Sequence, residues 1–147
     1  MSFDFDRIVS TLSRHGVAYV LIGGAAALAH GSTLATEDVD LTPDRDQRNL
    51  DRLGEALLEL RARLRTANEP DGVEFPCNGR FLAAMPTMLN LTTNAGDIDL
   101  ALAPSGFAKG YEVLAPRAVE VDFGNGTIVL VAALDERSLR NCLMRLR

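Results

Sequence analysis

The stretch from Tyr19 to Leu41, YVLIGGAAALAHGSTLATEDVDL, decides how this chain reads. An apolar run from Val17 to Ile22 ends at Gly23-Gly24. An alanine-rich segment follows to His30-Gly31, and Asp38 and Asp40 then stand two apart among aliphatic neighbours. The pattern predicts strand, glycine turn, short helix, loop and strand. Side chains alternate along a strand, so Asp38 and Asp40 share one face and Val39 and Leu41 the other. Two carboxylates on one patch repel unless a cation lies between them, and a hard oxygen pair of this kind suits Mg²⁺ or Mn²⁺. Gly23 and Gly24 lack a Cβ, and the strand-to-helix turn they form exposes backbone N–H groups and the positive end of a helix to phosphate. Metal ligands beside a phosphate cradle point to nucleotide chemistry.

Further along, PTMLNLTT and DIDLALA flank Asn94-Ala95-Gly96, a pattern that predicts a tight hairpin. Asp97 and Asp99 alternate on its second strand with Ile98 and Leu100, repeating the arrangement at Asp38 and Asp40. If the two strands are neighbours, Asp99 becomes a third acid of the same patch; otherwise it is an exposed strand acid. Asp97 lies nearer the turn and is given a lesser or purely solvating role.

Gly23-Gly24, His30-Gly31 and the Thr36-x-Asp38-Val39-Asp40-Leu41 segment together resemble the nucleotidyltransferase superfamily, in particular its small AbiEii-like branch, which includes toxins of bacterial toxin–antitoxin systems. The resemblance is clearest over Tyr19 to Leu41 and weaker on to about Leu134. It implies that Asp38 and Asp40, with Asp99 as the later-strand acid, hold Mg²⁺ or Mn²⁺ and the triphosphate of an NTP. It also implies that Asp99 assists deprotonation of the attacking hydroxyl, that Gly23 and Gly24 hold the β- and γ-phosphates, and that Thr36 braces the loop. The implied activity is transfer of an NMP to RNA, for example at the 3′ end of tRNA, or to a protein hydroxyl, with a toxin requiring a cognate antitoxin. Two departures stand out. Leu34 occupies a position where relatives often carry arginine, and Gly-Gly replaces the Gly-Ser of many members. These departures keep open an alternative, a catalytically impaired module that binds a nucleotide or a partner protein.

The remaining segments fit an α/β domain spanning 1–147, with a mixed twisted sheet of about five or six strands and helices packed mainly on one side. Phe5, Ile8, Val9 and Leu12 predict a helix over about 3–15, capped at Ser2 and ended at Gly16, with His15 as a C-terminal dipole partner. A second helix is expected from about Asp46 to Arg65, with Asp44 and Gln47 as a capping box. Its buried stripe is Leu50, Leu53, Leu57, Leu60 and Leu64, which leaves Arg48, Arg52 and Arg63 toward solvent. Residues 66–80, with Pro70, Asp71-Gly72, Pro76 and Asn78-Gly79, read as loop or irregular strand pair. Gly106 to Leu114 reads as a short helix or turn in which Lys109 either pairs with a triphosphate or sits at the surface. A second hairpin is expected over 118–122 and 127–131 across Gly124-Asn125-Gly126, with Glu120 and Asp122 facing water, and a final helix over 134–147.

Composition narrows the functional classes. The chain has 147 residues, 47% of them hydrophobic, the profile of one globular domain able to bury a core. Its net charge of −5 argues against a generally basic, nucleic-acid-coating surface. Lys109 is the only lysine among fifteen cations. No apolar run approaches the roughly 20 residues that cross a membrane, and the acidic, amphipathic N-terminus is unlike a signal peptide, so a cytoplasmic location is expected. Cys77 and Cys142 are read as free thiols rather than a disulfide. No G-x-x-x-x-G-K-[ST], G-x-S-x-G, H-E-x-x-H or C-x-x-C motif occurs, which sets aside P-loop, serine-hydrolase, zinc-protease and thioredoxin-like chemistry.

Overall fold

Helix α1, Phe5–Arg14, turns its apolar stripe inward and buries Ile8, Val9 and Leu12. Asp4, rather than Ser2, is its N-cap, and the Asp4 carboxylate accepts a 3.1 Å hydrogen bond from the Arg7 N–H. Gly16 closes the helix at φ +69°, where the Gly16 N–H donates to Ser13 O and the Val17 N–H to Leu12 O, a glycine-ended C-cap. In this computed structural model the described residues are 3–23, 38–85, 87–102, 110–124 and 126–132. The predicted final helix, Cys142, Leu34, Gly24, Thr36 and Lys109 lie outside them.

Strand β1, Tyr19–Ile22, runs antiparallel to β2, Asp38–Pro43, with Leu21 opposite Leu41 and Ile22 opposite Asp40. Helix α2, Gln47–Glu59, then buries Leu50, Leu53, Ala56 and Leu57, and Leu60 at its C-cap is buried as well. Asn49 on the same helix is buried and fully engaged. Its Oδ1 accepts from the Ala18 N–H at 2.7 Å, and its Nδ2 donates to the carbonyls of Ala18 at 2.9 Å and Asp44 at 2.8 Å. It thereby ties α2 to the entry of β1 and the exit of β2.

The helix is shorter than the leucine spacing predicts. Arg61 adopts φ +54°, the Arg61 N–H donates to Leu58 O at 3.0 Å and the Ala62 N–H to Leu57 O at 2.9 Å. That is a Schellman ending with arginine where glycine is usual. The expected helix to Arg65 therefore stops six residues early, and Leu64 lies on a short strand β3, Arg63–Leu64. The capping box is also absent. Asp46 holds the N-cap position without a side-chain cap bond, and Asp44 Oδ1 instead accepts from the Asp46 N–H at 3.1 Å.

The irregular segment after β3 touches the sheet through a Leu64–Val73 bridge. A six-residue helix α3, Gly79–Ala84, follows, capped by Asn78, whose Oδ1 accepts from the Phe81 N–H at 2.9 Å. The sequence reading had no helix here. Cys77 precedes it as a half-buried free thiol, pushed up to about 11 by burial. The expected hairpin is present as β4, Met88–Thr93, and β5, Gly96–Ala101. A single turn of helix, α4, covers Tyr111–Leu114. The second expected hairpin is β6, Val119–Asp122, and β7, Ile128–Val131, with Glu120 and Asp122 exposed as anticipated.

Among the described residues these strands form one seven-stranded mixed sheet in the order β3-β4-β5-β2-β1-β7-β6, larger than the five or six expected. The extra strand is the short β3, created by the early end of α2, while β7, the second strand of the expected hairpin, pairs parallel to β1. One core cluster unites the inner faces of α1 and α2 with Leu21, Val39, Leu41, Ile98 and Leu100 from the sheet. No described helix is long and apolar enough to cross a membrane.

Candidate metal and nucleotide site

Strands β2 and β5 lie side by side and parallel at the middle of the sheet, with Asp38 opposite Asp97, Val39 opposite Ile98, Asp40 opposite Asp99 and Leu41 opposite Leu100. The apolar partners fix this register, because a slip of one residue in either strand would turn its two apolar residues out of the core and its two acids into it. Asp38, Asp40, Asp97 and Asp99 are consequently gathered on the opposite face. The two strands are neighbours, the condition under which Asp99 joins Asp38 and Asp40 rather than standing as an exposed strand acid.

Asp40 and Asp99 are only 4% and 5% exposed. One carboxylate oxygen from each of Asp38, Asp40 and Asp99 lies within 4.8 Å of the other two. Around a six-coordinate Mg²⁺ with oxygens at about 2.1 Å, ligands stand roughly 3–4 Å apart, so the three acids fit such an ion after closing by about 1 Å. A wholly carboxylate donor set is also the chemistry that Mg²⁺ and Mn²⁺ favour over softer metals.

Without an ion the acids interact with one another. Burial pushes the Asp99 carboxyl up to about 7, and the charge of Asp40 adds to that; the Arg65 guanidinium opposes the rise, while a hydrogen bond with Asp38 and the Asp38 charge contribute further. A divalent cation bound by Asp38, Asp40 and Asp99 would favour the charged form of Asp99 and offset the repulsion among the three acids.

Arg65 is the residue that the sequence reading missed. Its Nη1 lies 2.6 Å from Asp97 Oδ2 and its Nη2 lies 2.7 Å from Asp99 Oδ1. Asp97, for which a lesser or purely solvating role is expected, is accordingly an ion-pair partner of Arg65. The error follows from the helix boundary, since a helix running to Arg65 leaves that side chain far from the sheet. A signal was present in Arg61-Ala62-Arg63-Leu64-Arg65, where charged and apolar residues alternate with the period of a strand.

Gly23 also acquires a sharper role. It sits at φ +66°, and a Cβ built there would stand 3.1 Å from Asp40 Cγ and 3.2 Å from Asp40 Cβ, with Asp40 Oδ2 closer still. The glycine is needed both for its left-handed backbone and for the space that the Asp40 carboxylate occupies. Of the other expected phosphate contacts, Gly24, Thr36 and Lys109 fall outside the described residues.

No family model and no curated protein sequence matches the chain. Solved structures do resemble it. One is a provisionally assigned nucleotidyltransferase from Thermotoga maritima, with TM-score 0.56 and 13% identity over 97% of this chain and 82% of that one. Another is ANT(2″)-Ia in complex with adenylyl-2″-tobramycin, with TM-score 0.55 and 16% identity over 87% of this chain and 66% of that one. At these identities the likeness is one of architecture. The chain has the nucleotidyltransferase fold.

Proposed function

We propose that this chain is a divalent-metal-dependent nucleotidyltransferase that moves an NMP unit from an NTP to an acceptor hydroxyl. The observation that carries the reading is the convergence of Asp38, Asp40 and Asp99 on one face of the two central strands, with ligand oxygens within 4.8 Å. Carboxyls on separate faces would have favoured the impaired binding module. When bound, the divalent ion supplies charge neutralisation to the triphosphate and to the oxygens that attack and leave.

The chain's own residues do the rest. Asp38 and Asp40 hold Mg²⁺ or Mn²⁺ and fix where the α-phosphate lies. Asp99 faces the same point and accepts the proton of the acceptor hydroxyl as its oxygen bonds to the α-phosphorus. The bond from that phosphorus to the bridging oxygen breaks, and pyrophosphate leaves with the electron pair. Gly23 and Gly24 offer backbone N–H groups to the β- and γ-phosphates, Thr36 braces the loop, and Lys109 pairs with the triphosphate. Most of the acceleration in such a site comes from positioning and electrostatics. The acceptor is a hydroxyl of RNA, such as a tRNA 3′ end, or of a protein, and a role as toxin brings with it a cognate antitoxin. ANT(2″)-Ia, seen with an adenylylated tobramycin, adds a small-molecule hydroxyl to the candidates.

The test is incubation with each labelled NTP, Mg²⁺ and total cellular RNA plus protein, comparing the natural chain with Asp40→Ala. Label is expected in one acceptor class and absent with the variant, while the variant keeps its circular dichroism spectrum and melting cooperativity. Undiminished transfer by Asp40→Ala sinks the proposal. Nucleotide binding without any transfer would instead favour the impaired module.

A further inference from the structure

The early end of α2 has placed a cation inside the acidic cluster. Arg65 continues the line of β3, its N–H donating to Asn90 O at 2.9 Å, and Asn90 is the cross-strand partner of Asp99. From there the side chain crosses β4 to reach β5, two strand spacings or about 10 Å away. Its two terminal nitrogens are each committed to a different carboxylate, Asp97 and Asp99. The planar fork of arginine suits this double engagement, which the point charge of lysine cannot reproduce. Arg65 is only 27% exposed at its side chain, so water screens the charge incompletely.

Resting on the metal-dependent reading of the same cluster, we propose that Arg65 is the cluster's resident cation. In the nucleotide-free protein it occupies one side of Asp99 and weakens binding of a free divalent ion. It thus couples loading of the metal to arrival of the nucleotide. Among the described residues, the Arg65 guanidinium pairs with two of the cluster's acids, Asp97 and Asp99, and so stands on one of the three candidate ligands. An ion entering among Asp38, Asp40 and Asp99 meets that positive charge at a few ångströms, a repulsion large enough at protein-like dielectric to lower affinity by an order of magnitude or more. A triphosphate adds negative charge on the same face and offsets the repulsion, so the ion is held firmly only when nucleotide is present. Arg65 acts here as a positioning residue, fixing Asp99 Oδ1 and tuning the cluster's charge.

The experiment is Mn²⁺ titration followed by electron paramagnetic resonance, with the full chain, in the absence and presence of a non-hydrolysable ATP analogue. Arg65→Gln should bind Mn²⁺ at least tenfold more tightly than the natural protein without nucleotide, and the difference should shrink when the analogue is added. Arg65→Lys keeps the charge and should stay within about threefold of the natural protein, whereas a merely structural role predicts that Gln and Lys behave alike. Arg65→Met, which retains the aliphatic stem, replaces Gln should that variant fail to fold. Neutral variants that bind free Mn²⁺ no more tightly than the natural protein overturn the proposal. So does a natural protein that binds free Mn²⁺ as tightly as it does with the analogue. Asp40→Asn separates this result from failure of the underlying reading. If Mn²⁺ binding with the analogue does not depend on Asp40, the metal site itself is wrong, not only the role of Arg65.

Discussion

Replacing Gly23 with alanine tests whether the glycine makes room for Asp40 or only cradles phosphate. The residue lies at φ +66°, and the new methyl group would overlap the Asp40 carboxylate, with 3.1 Å to Cγ and 3.2 Å to Cβ. The backbone penalty for a left-handed alanine is about 1–2 kcal/mol. The clash itself is relieved mainly by rotation of Asp40, the far end of a short side chain, so the fold should survive with a loss close to that penalty. For a chain of this size the penalty corresponds to a melting shift of roughly 2–8 °C. The site should suffer more than the fold. Asp40 turned away from Asp38 and Asp99 leaves two of the three ligands in place, and displaced support of this kind commonly weakens metal affinity by about 10- to 100-fold.

The assays are urea unfolding for stability and Mn²⁺ titration without nucleotide for the site. A phosphate-cradle role alone predicts the opposite division, with Mn²⁺ affinity preserved and nucleotide affinity reduced. Unchanged Mn²⁺ affinity in a folded Gly23→Ala protein refutes the argument that Asp40 depends on the missing Cβ.

Two further predictions concern the scaffold. Asn49→Ala removes a buried side chain that makes three hydrogen bonds to the Ala18 and Asp44 backbone, and should lower unfolding free energy by about 2–4 kcal/mol in urea titrations, since buried groups are left unsatisfied; a loss below 1 kcal/mol would show that water replaces it. Glu59 is held down to about 2 by its hydrogen bonds with Arg14 first and His15 second. A carboxylate depressed in the folded state contributes stability above its ordinary value near 4.5 that disappears as pH falls toward 2. The melting temperatures of the natural protein and Glu59→Gln should therefore converge as pH is lowered through that window, with a small gap at neutral pH because the pair is exposed. A gap that widens in acid contradicts the sign.

Much of the site was legible because alternation is a local property. Asp38 and Asp40, like Asp97 and Asp99, declare their common face through Val39, Leu41, Ile98 and Leu100, and the Asn94-Ala95-Gly96 turn declares its hairpin. What decided Arg65 was where α2 stops. Leucine spacing carries the helical pattern through Leu64, whereas the chain leaves the helix at Arg61 without the glycine that usually marks such an ending. Propensity offered no warning, because arginine is a good helix former. Helix α3 escaped notice for a different reason. Six residues are too few to show a helical period, and the Asn78 cap was read as part of an Asn-Gly turn. Pairing of β7 with β1 depends on contacts across more than a hundred residues, which local pattern does not encode.

The same alternation explains how the protein tolerates its own acidic cluster. Gathering four carboxylates on two neighbouring strands is unfavourable, and Arg65 neutralises only part of the charge. On the reverse face of those strands Val39, Leu41, Ile98 and Leu100 are all fully buried. Each contributes on the order of 1.5–3 kcal/mol of hydrophobic stabilisation, which opposes the repulsion among the acids. The core face therefore helps to hold the acids in register. On the proposed reading, charge-neutralising changes at Asp38, Asp40 or Asp99 should therefore act on metal and substrate binding while leaving the sheet intact. Changes at Val39 or Ile98, which touch no ligand, should weaken the fold and loosen the site together, because the register they enforce is what brings Asp99 to Asp40.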